Sequence, residues 1–170
     1  WDDRGIDGVY RFLNRVWNLV MDSKDADVKA TKEMIKIRNK MVYDITTRLE
    51  SFSLNTVISG FMEYNNKLID IAKKEGGIDK ETLSTFAVLL APFAPHMAEE
   101  LWQQLGHEGT VFNAGWPTYD EDAMKDDEIE VAVQINGKTR AVVTVPADVS
   151  KEDAIKAGKE AVADKLTGTI

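Results

Sequence analysis

Residues 89–102 read LLAPFAPHMAEELW, and the two prolines of this segment separate two predicted helices. Because Pro92 cannot continue a helix, the first helix should end just before it, and Asp79 can cap its start. Pro95 suits the first turn of the second helix, which we expect to run through Leu105. Two short helices joined by so brief a link predict helix-on-helix packing.

Three longer predicted helices precede this pair. Apolar residues recur there at three- and four-residue steps, as in helices that bury one face. The predicted helices cover residues 7–21, 26–50 and 55–74, and Gly76-Gly77 ends the third. The core face of the third helix is predicted to consist of Ile58, Phe61, Met62, Leu68, Ile69 and Ala72. The sequence therefore predicts a mainly α fold, an antiparallel helical bundle over residues 1–106.

The pattern changes after the bundle. Residues 107–128 contain glycine, proline and many acidic residues, which indicates a linker or surface loop. Residues 129–145 alternate apolar and polar positions around Asn136-Gly137, the typical turn of a β-hairpin. Ser150 can cap a helix that we expect to end near Leu166. A small α/β domain with a hairpin and a helix is thus predicted over residues 129–170.

Composition limits the possible functions. The chain has 170 residues, a net charge of −8 and no cysteine. The missing cysteines exclude a disulfide scaffold, a thiolate zinc site and a cysteine nucleophile, and they are compatible with a reducing compartment. No segment has the length or composition of a membrane span. Since the chain starts at Trp1 without an initiator methionine, we expect it to be a fragment of a longer protein.

Neither a catalytic nor a metal site is predicted from the sequence. The two histidines are His96 and His107, and no Walker-type or dinucleotide-binding glycine motif occurs. His96, Glu99 and Glu100 form an H-x-x-E-E pattern, one histidine short of an inverted zinc-protease motif. A histidine at a helix start, beside glutamates that the helix dipole favours, explains this pattern better.

Basic residues supply the candidate binding site. A chain this acidic is not a general polyanion binder, but residues 29–48 carry six Lys and Arg against two acidic residues. Lysines one helical turn apart can contact successive phosphates, and cationic residues beside the hairpin turn can contact RNA. The candidate contacts are Arg11, Arg15, Lys32, Lys36, Lys40, Lys138 and Arg140. Solvated helix faces, ion pairs within the bundle and protection of a sheet edge are the alternative explanations.

Five strings of the sequence together carry a family resemblance. In order they are GVYRFLNRVW (residues 8–17), LNTVIS (54–59), MEYN (62–65), LLAPFAPHMAEELW (89–102) and VQINGKTR (133–140). Their order and spacing resemble the C-terminal part of bacterial leucyl-tRNA synthetases, over essentially the whole chain. The LLAPFAPH string is shared by several class I synthetases, whereas the VQINGKTR hairpin is more specific to the bacterial leucyl branch.

The resemblance implies a fold and a role. The fold is a bundle of the class I synthetase anticodon-binding type, followed by a small C-terminal domain that continues beyond residue 170 in the family. The whole enzyme attaches leucine to its tRNA with ATP and Mg²⁺ in a catalytic domain. The class I strings HIGH and KMSKS are absent here, so this piece has no catalytic site or cofactor of its own. Leucine enzymes generally do not read the anticodon, so contacts to tRNA shape and backbone are expected.

The expected partners are therefore leucine tRNA and the catalytic domain of the same polypeptide, in a cytoplasmic and monomeric protein without a membrane or DNA partner. Two alternatives remain. The first is the corresponding domain of a valyl, isoleucyl or methionyl enzyme, although those relatives usually end in a different module. The second is a helical protein-interaction module unrelated to RNA, which the net negative charge would suit.

Overall fold

The computed structural model describes residues 4–125, 128–135, 137–146 and 149–163, which form two compact units. The first unit ends at Met124 and the second begins at Lys125. The helices of the first are α1 (Arg4–Ser23), α2 (Lys32–Glu50), α3 (Leu54–Glu75), α4 (Lys80–Leu90) and α5 (Pro95–Gln104). The second contains β1 (Glu128–Ile135), β2 (Lys138–Pro146) and α6 (Lys151–Ala161). The predicted helical bundle followed by a hairpin and a helix is confirmed.

Local capping chemistry sets most helix ends. Asp79 accepts a hydrogen bond from the backbone N–H of Thr82 and caps α4, as predicted. Gly76 ends α3 in the left-handed conformation with φ 81°, which glycine adopts without a steric penalty. Pro95 is the first residue of α5. The turn chemistry in the sequence was therefore sufficient to place these boundaries.

The predicted start of α2 at residue 26 was wrong. The helix begins at Lys32 because the side chain of Thr31 accepts a hydrogen bond from the backbone N–H of Met34 and caps the helix there. Lys29 consequently lies in the connection between α1 and α2 and not on the helix. The helix α6 ends at Ala161, and its predicted end near Leu166 lies outside the described residues.

The core of the first unit is built around α3. Phe61 is fully buried, and its ring meets those of Phe86 and Phe93 edge to face at centroid distances of 5.7 Å. The buried face of α3 is rotated from the predicted one: Phe61 and Leu68 are fully buried, but the other four predicted residues are only partly so. The buried side chains that take their place in this core face are Val57, Tyr64 and Ile71.

The segment from His107 to Met124, predicted as part of an acidic linker or surface loop, groups with the helical unit. The indole N–H of Trp116 donates to Thr46 Oγ1 at 2.9 Å, and the backbone N–H of Asp120 donates to Asn39 Oδ1 at 2.7 Å. Both acceptors lie on α2. Two hydrogen bonds therefore hold this surface segment against α2, and we call the segment the strap.

In its described residues, the second unit consists of a hairpin and the helix α6. Strands β1 and β2 pair antiparallel, and α6 packs mainly on β2. Gly158 of α6 is buried against β1, since a Cβ there would lie 3.3 Å from Val133 Cγ2. Ser150 accepts a hydrogen bond from the backbone N–H of Asp153 and caps α6, as predicted. The predicted turn residue Asn136 lies outside the described residues.

No helix in the described part of the chain is long and apolar enough to cross a membrane.

Candidate nucleic-acid interface

Three lysines of the basic stretch form a row on one face of α2, which we call the lysine stripe. Lys32, Lys36 and Lys40 are four residues apart, so their side chains follow one another along the helix surface. Lys32 is exposed, and the other two are half-buried. Arg38, from the same basic stretch, points elsewhere and pairs with Glu81 of α4 at 2.8 Å. The basic stretch therefore divides between a surface stripe and an internal ion pair.

A groove between α2 and α3 gathers lysines from both helices. It has a volume of about 430 Å³, and Ile37 and Ile71 provide its apolar lining. Its other lining residues are polar or charged: Glu33, Lys36, Lys40, Tyr64, Lys67, Asp70 and Lys74. Four lysines against two carboxylates leave a net charge of +2 in a chain whose total is −8. We call this feature the lysine groove.

Two contacts order the lysine groove. Lys74 Nζ lies 2.9 Å from Glu33 Oε2, across the groove, and this hydrogen-bonded ion pair raises the pKa of Lys74. Lys67 Nζ lies 5.1 Å from the centre of the Tyr64 ring, within cation–π range. The Tyr64 hydroxyl donates to Asp44 Oδ2, which fixes the ring below Lys67. Burial first, and then this hydrogen bond, raises the pKa of Tyr64.

A second groove lies on the other side of α3, against α1, and has a volume of about 320 Å³. Arg15 of α1 and Lys73 of α3 both line it, so the structure places one predicted contact beside an unpredicted one. Arg11, one turn earlier in α1, is exposed, and its Nε–H donates to the backbone oxygen of Asp7 at 3.2 Å. Thus α3 forms one wall of both grooves.

The predicted hairpin contacts, Lys138 and Arg140, are exposed on β2. The strand register is irregular between Val133 and Gln134, because Gln134 pairs with Thr139 while Val133 pairs with Ala141. Arg140 is therefore the extra residue of a bulge, which interrupts the strict alternation of side chains along β2.

The histidine regions have structural explanations. Glu99 accepts hydrogen bonds from Thr110 Oγ1 at 2.8 Å and from the backbone N–H of Val111 at 3.0 Å, and these bonds lower the pKa of Glu99. His107 stacks on Trp102 at 3.8 Å, and burial lowers its pKa. Within the described ranges, no group of three or more histidine, aspartate and glutamate side chains is placed to hold a metal ion.

Sequence reasoning missed three lysines of α3: Lys67, Lys73 and Lys74. They belong to no basic run, since Glu63, Asp70 and Glu75 balance their charge along the chain. Their significance arises from the packing of α3 between α1 and α2, which gives each a cationic neighbour on another helix. The alternating charges of α3 indicate that this face of the helix is exposed, but they do not indicate a binding groove.

A bundle with cationic grooves, followed by a hairpin and a helix, defines a helical domain of the class I synthetase anticodon-binding type. Comparison with known families supports this class, because the family described as "Anticodon-binding domain of tRNA ligase" matches residues 31–155. The chain belongs to this family.

The resemblance to bacterial leucyl-tRNA synthetases is confirmed. The chain is 43% identical to the leucine--tRNA ligase of Parabacteroides distasonis over 161 residues, covering 92% of this chain and 17% of that protein. It is 42% identical to the same enzyme of Chlorobaculum parvum over 175 residues, covering 99% and 21%. The chain thus spans about a fifth of the length of these relatives.

A solved structure is also similar. The chain matches the crystal structure of the ternary complex of Agrobacterium radiobacter K84 agnB2 LeuRS, tRNA and LeuAMS with a TM-score of 0.79 and 28% identity. The match covers 98% of this chain and 23% of that one. The similarity extends over both units of the chain.

Proposed function

We propose that this chain binds tRNA and positions it for a leucine–tRNA ligase of which the chain forms about a fifth. The lysine groove is the observation that carries this proposal, because it concentrates positive charge on a strongly acidic chain. The relatives named as leucine--tRNA ligases and the similar complex that contains tRNA support it. They favour the leucyl assignment over a valyl, isoleucyl or methionyl enzyme and over a protein-interaction module.

The chemistry would reside elsewhere in the polypeptide. The whole enzyme would attach leucine to its tRNA with ATP and Mg²⁺ in a catalytic domain, and this chain would supply no catalytic group. Holding the tRNA body in one orientation affects the rate because a reacting end displaced by about 1 Å can cost two orders of magnitude. We further infer a cytoplasmic enzyme, as the resemblance to bacterial synthetases implies.

The first test measures the binding of leucine tRNA to the whole chain by filter retention at several salt concentrations. Replacing Lys32, Lys36 and Lys40 together by alanine should lower the slope of log affinity against log salt by about 2 to 3, since each lost phosphate contact removes about 0.7–0.9. The matched control replaces Lys24, Lys29 and Lys80, which removes the same charge from the same unit away from the stripe. Equal losses in both triple variants would contradict the proposal.

The hairpin is tested separately. Replacing Lys138 and Arg140 together by alanine should reduce the salt slope by about 1 to 2 if both contact phosphates. Lys151 and Lys156 of α6 provide a control pair with the same change of charge in the same unit. A slope that is unchanged in the hairpin variant would remove these two residues from the proposed interface.

A further inference from the structure

We propose that the lysine groove is a binding site, here called the phosphate seat, for a phosphodiester group of the RNA backbone. In the free protein, the carboxylate of Glu33 occupies the place beside Lys74 that the phosphate takes on binding. The inference rests on the proposed tRNA binding and goes further in two respects. It makes Lys67 and Lys74 of α3 contact residues, and it makes Glu33 a competing anion within the protein.

The geometry supports a seat with two cationic walls. Lys36 and Lys40 line the groove from α2, while Lys67 and Lys74 line it from α3. A phosphodiester carries one negative charge and accepts hydrogen bonds through two free oxygens, so it can contact lysines of both helices at once. A single helix face offers one row of charge, whereas the lysine groove offers two.

Charge balance identifies the internal anion. Of the two carboxylates that line the groove, Asp70 bonds to Lys73 at 3.2 Å, and Lys73 lines the opposite groove. Glu33 instead reaches across to Lys74 at 2.9 Å. Glu33 also lies in the first turn of α2, where the helix dipole favours a negative group, whether carboxylate or phosphate. The carboxylate of Glu33 is therefore an anion already bound to a groove lysine, beside the first turn of α2.

Lys67 is positioned before any ligand arrives. Its ammonium lies over the Tyr64 ring, and that ring is held by the hydroxyl bond to Asp44. A lysine that is already ordered loses less side-chain entropy when it binds a phosphate than one that is free to rotate. Lys67 should therefore contribute more to RNA affinity than an average surface lysine.

The test exploits effects of opposite sign, measured as the binding of leucine tRNA by the whole chain. Lys67→Ala and Lys74→Ala should each weaken binding about 3- to 10-fold and reduce the salt slope by about 0.7–0.9. Glu33→Gln should tighten binding about 2- to 5-fold, because it removes the carboxylate at 2.9 Å from Lys74 and leaves only the longer ion pair with Glu75, at 3.5 Å. Glu50→Gln is the matched control on the same helix, and we expect it to change affinity by less than about 1.5-fold at 0.15 M salt.

Several results would overturn the inference. Weaker or unchanged binding by Glu33→Gln would assign the Glu33–Lys74 pair a purely structural role. An unchanged salt slope in Lys67→Ala, confirmed with Lys67→Gln, would show that this lysine of α3 does not contact the phosphate. If these variants behave like the wild type while the Lys32, Lys36 and Lys40 triple variant loses slope, only the groove assignment fails. If the wild type shows no salt-dependent binding, the proposed function fails as well.

A second arm separates the sources of phosphate. ATP, titrated without RNA, presents free phosphate groups of high charge. ATP that binds with the same sensitivity to Lys67→Ala as the tRNA would indicate a free-nucleotide site and overturn the backbone assignment. ATP binding that is at least about 100-fold weaker than tRNA binding would support it, because a backbone seat gains affinity from neighbouring contacts along the strand.

Discussion

Replacing Gly60 by alanine should have effects of opposite sign in two backgrounds. Gly60 is buried in α3, and a Cβ there would collide with Arg48 Nη1 and lie 3.2 Å from Arg48 Cζ. That guanidinium donates to the backbone oxygen of Thr56 at 2.7 Å. The added methyl group must therefore displace Arg48 from its acceptor. The new Cβ would also lie 3.3 Å from Ile45 Cδ1, which must shift slightly. Because both contacts are with the ends of side chains, the helix itself need not move.

The magnitude follows from two opposing terms. Alanine in place of glycine inside a helix stabilises by about 0.5–1 kcal/mol. Losing a hydrogen bond from a charged donor costs about 1.5–3 kcal/mol, and the lower end applies because Arg48 is half-exposed and water can replace the lost contact. Gly60→Ala should therefore destabilise the wild type by about 0.5–1 kcal/mol. In an Arg48→Ala background it should instead stabilise by about 0.5–1 kcal/mol.

The assay is urea unfolding of the four chains of this double-mutant cycle, followed by circular dichroism at a helical wavelength. The predicted coupling energy between the two sites is about 1–2 kcal/mol, which exceeds the usual error of such cycles. Equal effects of Gly60→Ala in both backgrounds would show that Arg48 does not restrict this position, and the explanation of the glycine would then be wrong.

Three further predictions concern the stability of the helical unit. Tyr64→Phe should lower its unfolding free energy by about 1–2 kcal/mol at neutral pH. Because burial and Asp44 raise the pKa of Tyr64, the wild-type advantage should be complete below pH 10 and shrink above it, in urea melts at each pH. Phe61→Ala should cost about 3–5 kcal/mol in calorimetry, since it opens a cavity between two aromatic rings. Burial lowers the pKa of His107, so stability should fall as pH drops below 6.5, and less so in His107→Gln.

Each of these has a contrary outcome. A constant difference between wild type and Tyr64→Phe from pH 8 to pH 11 would contradict the raised pKa. A loss below about 1 kcal/mol for Phe61→Ala would mean that the core closes around the missing ring. Parallel acid limbs for wild type and His107→Gln would exclude the histidine as a source of acid sensitivity. Phe112→Ala, at an exposed site, is a control for loss of aromatic surface.

The sequence predicted those parts of the fold that depend on local chemistry. Asp79 and Pro95 mark helix starts through interactions within one turn, so they could be recognised without tertiary information. The start of α2 was placed six residues too early, at residue 26, although Thr31 is a favoured N-cap residue. The cap decides this boundary, since it satisfies a backbone donor that would otherwise lack a partner.

Features that depend on distant residues could not be predicted in this way. The hydroxyl of Tyr64 donates to Asp44, which lies twenty positions earlier on another helix. The ion pair between Glu33 and Lys74 joins residues 41 positions apart. The strap is fastened by Trp116 over a still longer separation, in a segment without apolar periodicity. In each case the partner is specified by how the helices pack and not by the neighbouring sequence.

The central place of α3 links charge to packing. The helix α3 contributes lysines to both grooves, and its position is set by Phe61 and Leu68 in the interior. A substitution among these apolar side chains that tilts α3 would alter the spacing between opposing cations in both grooves at once. The affinity for a polyanion would then differ between relatives that have the same basic residues. A comparison of surface positions alone would not reveal the cause.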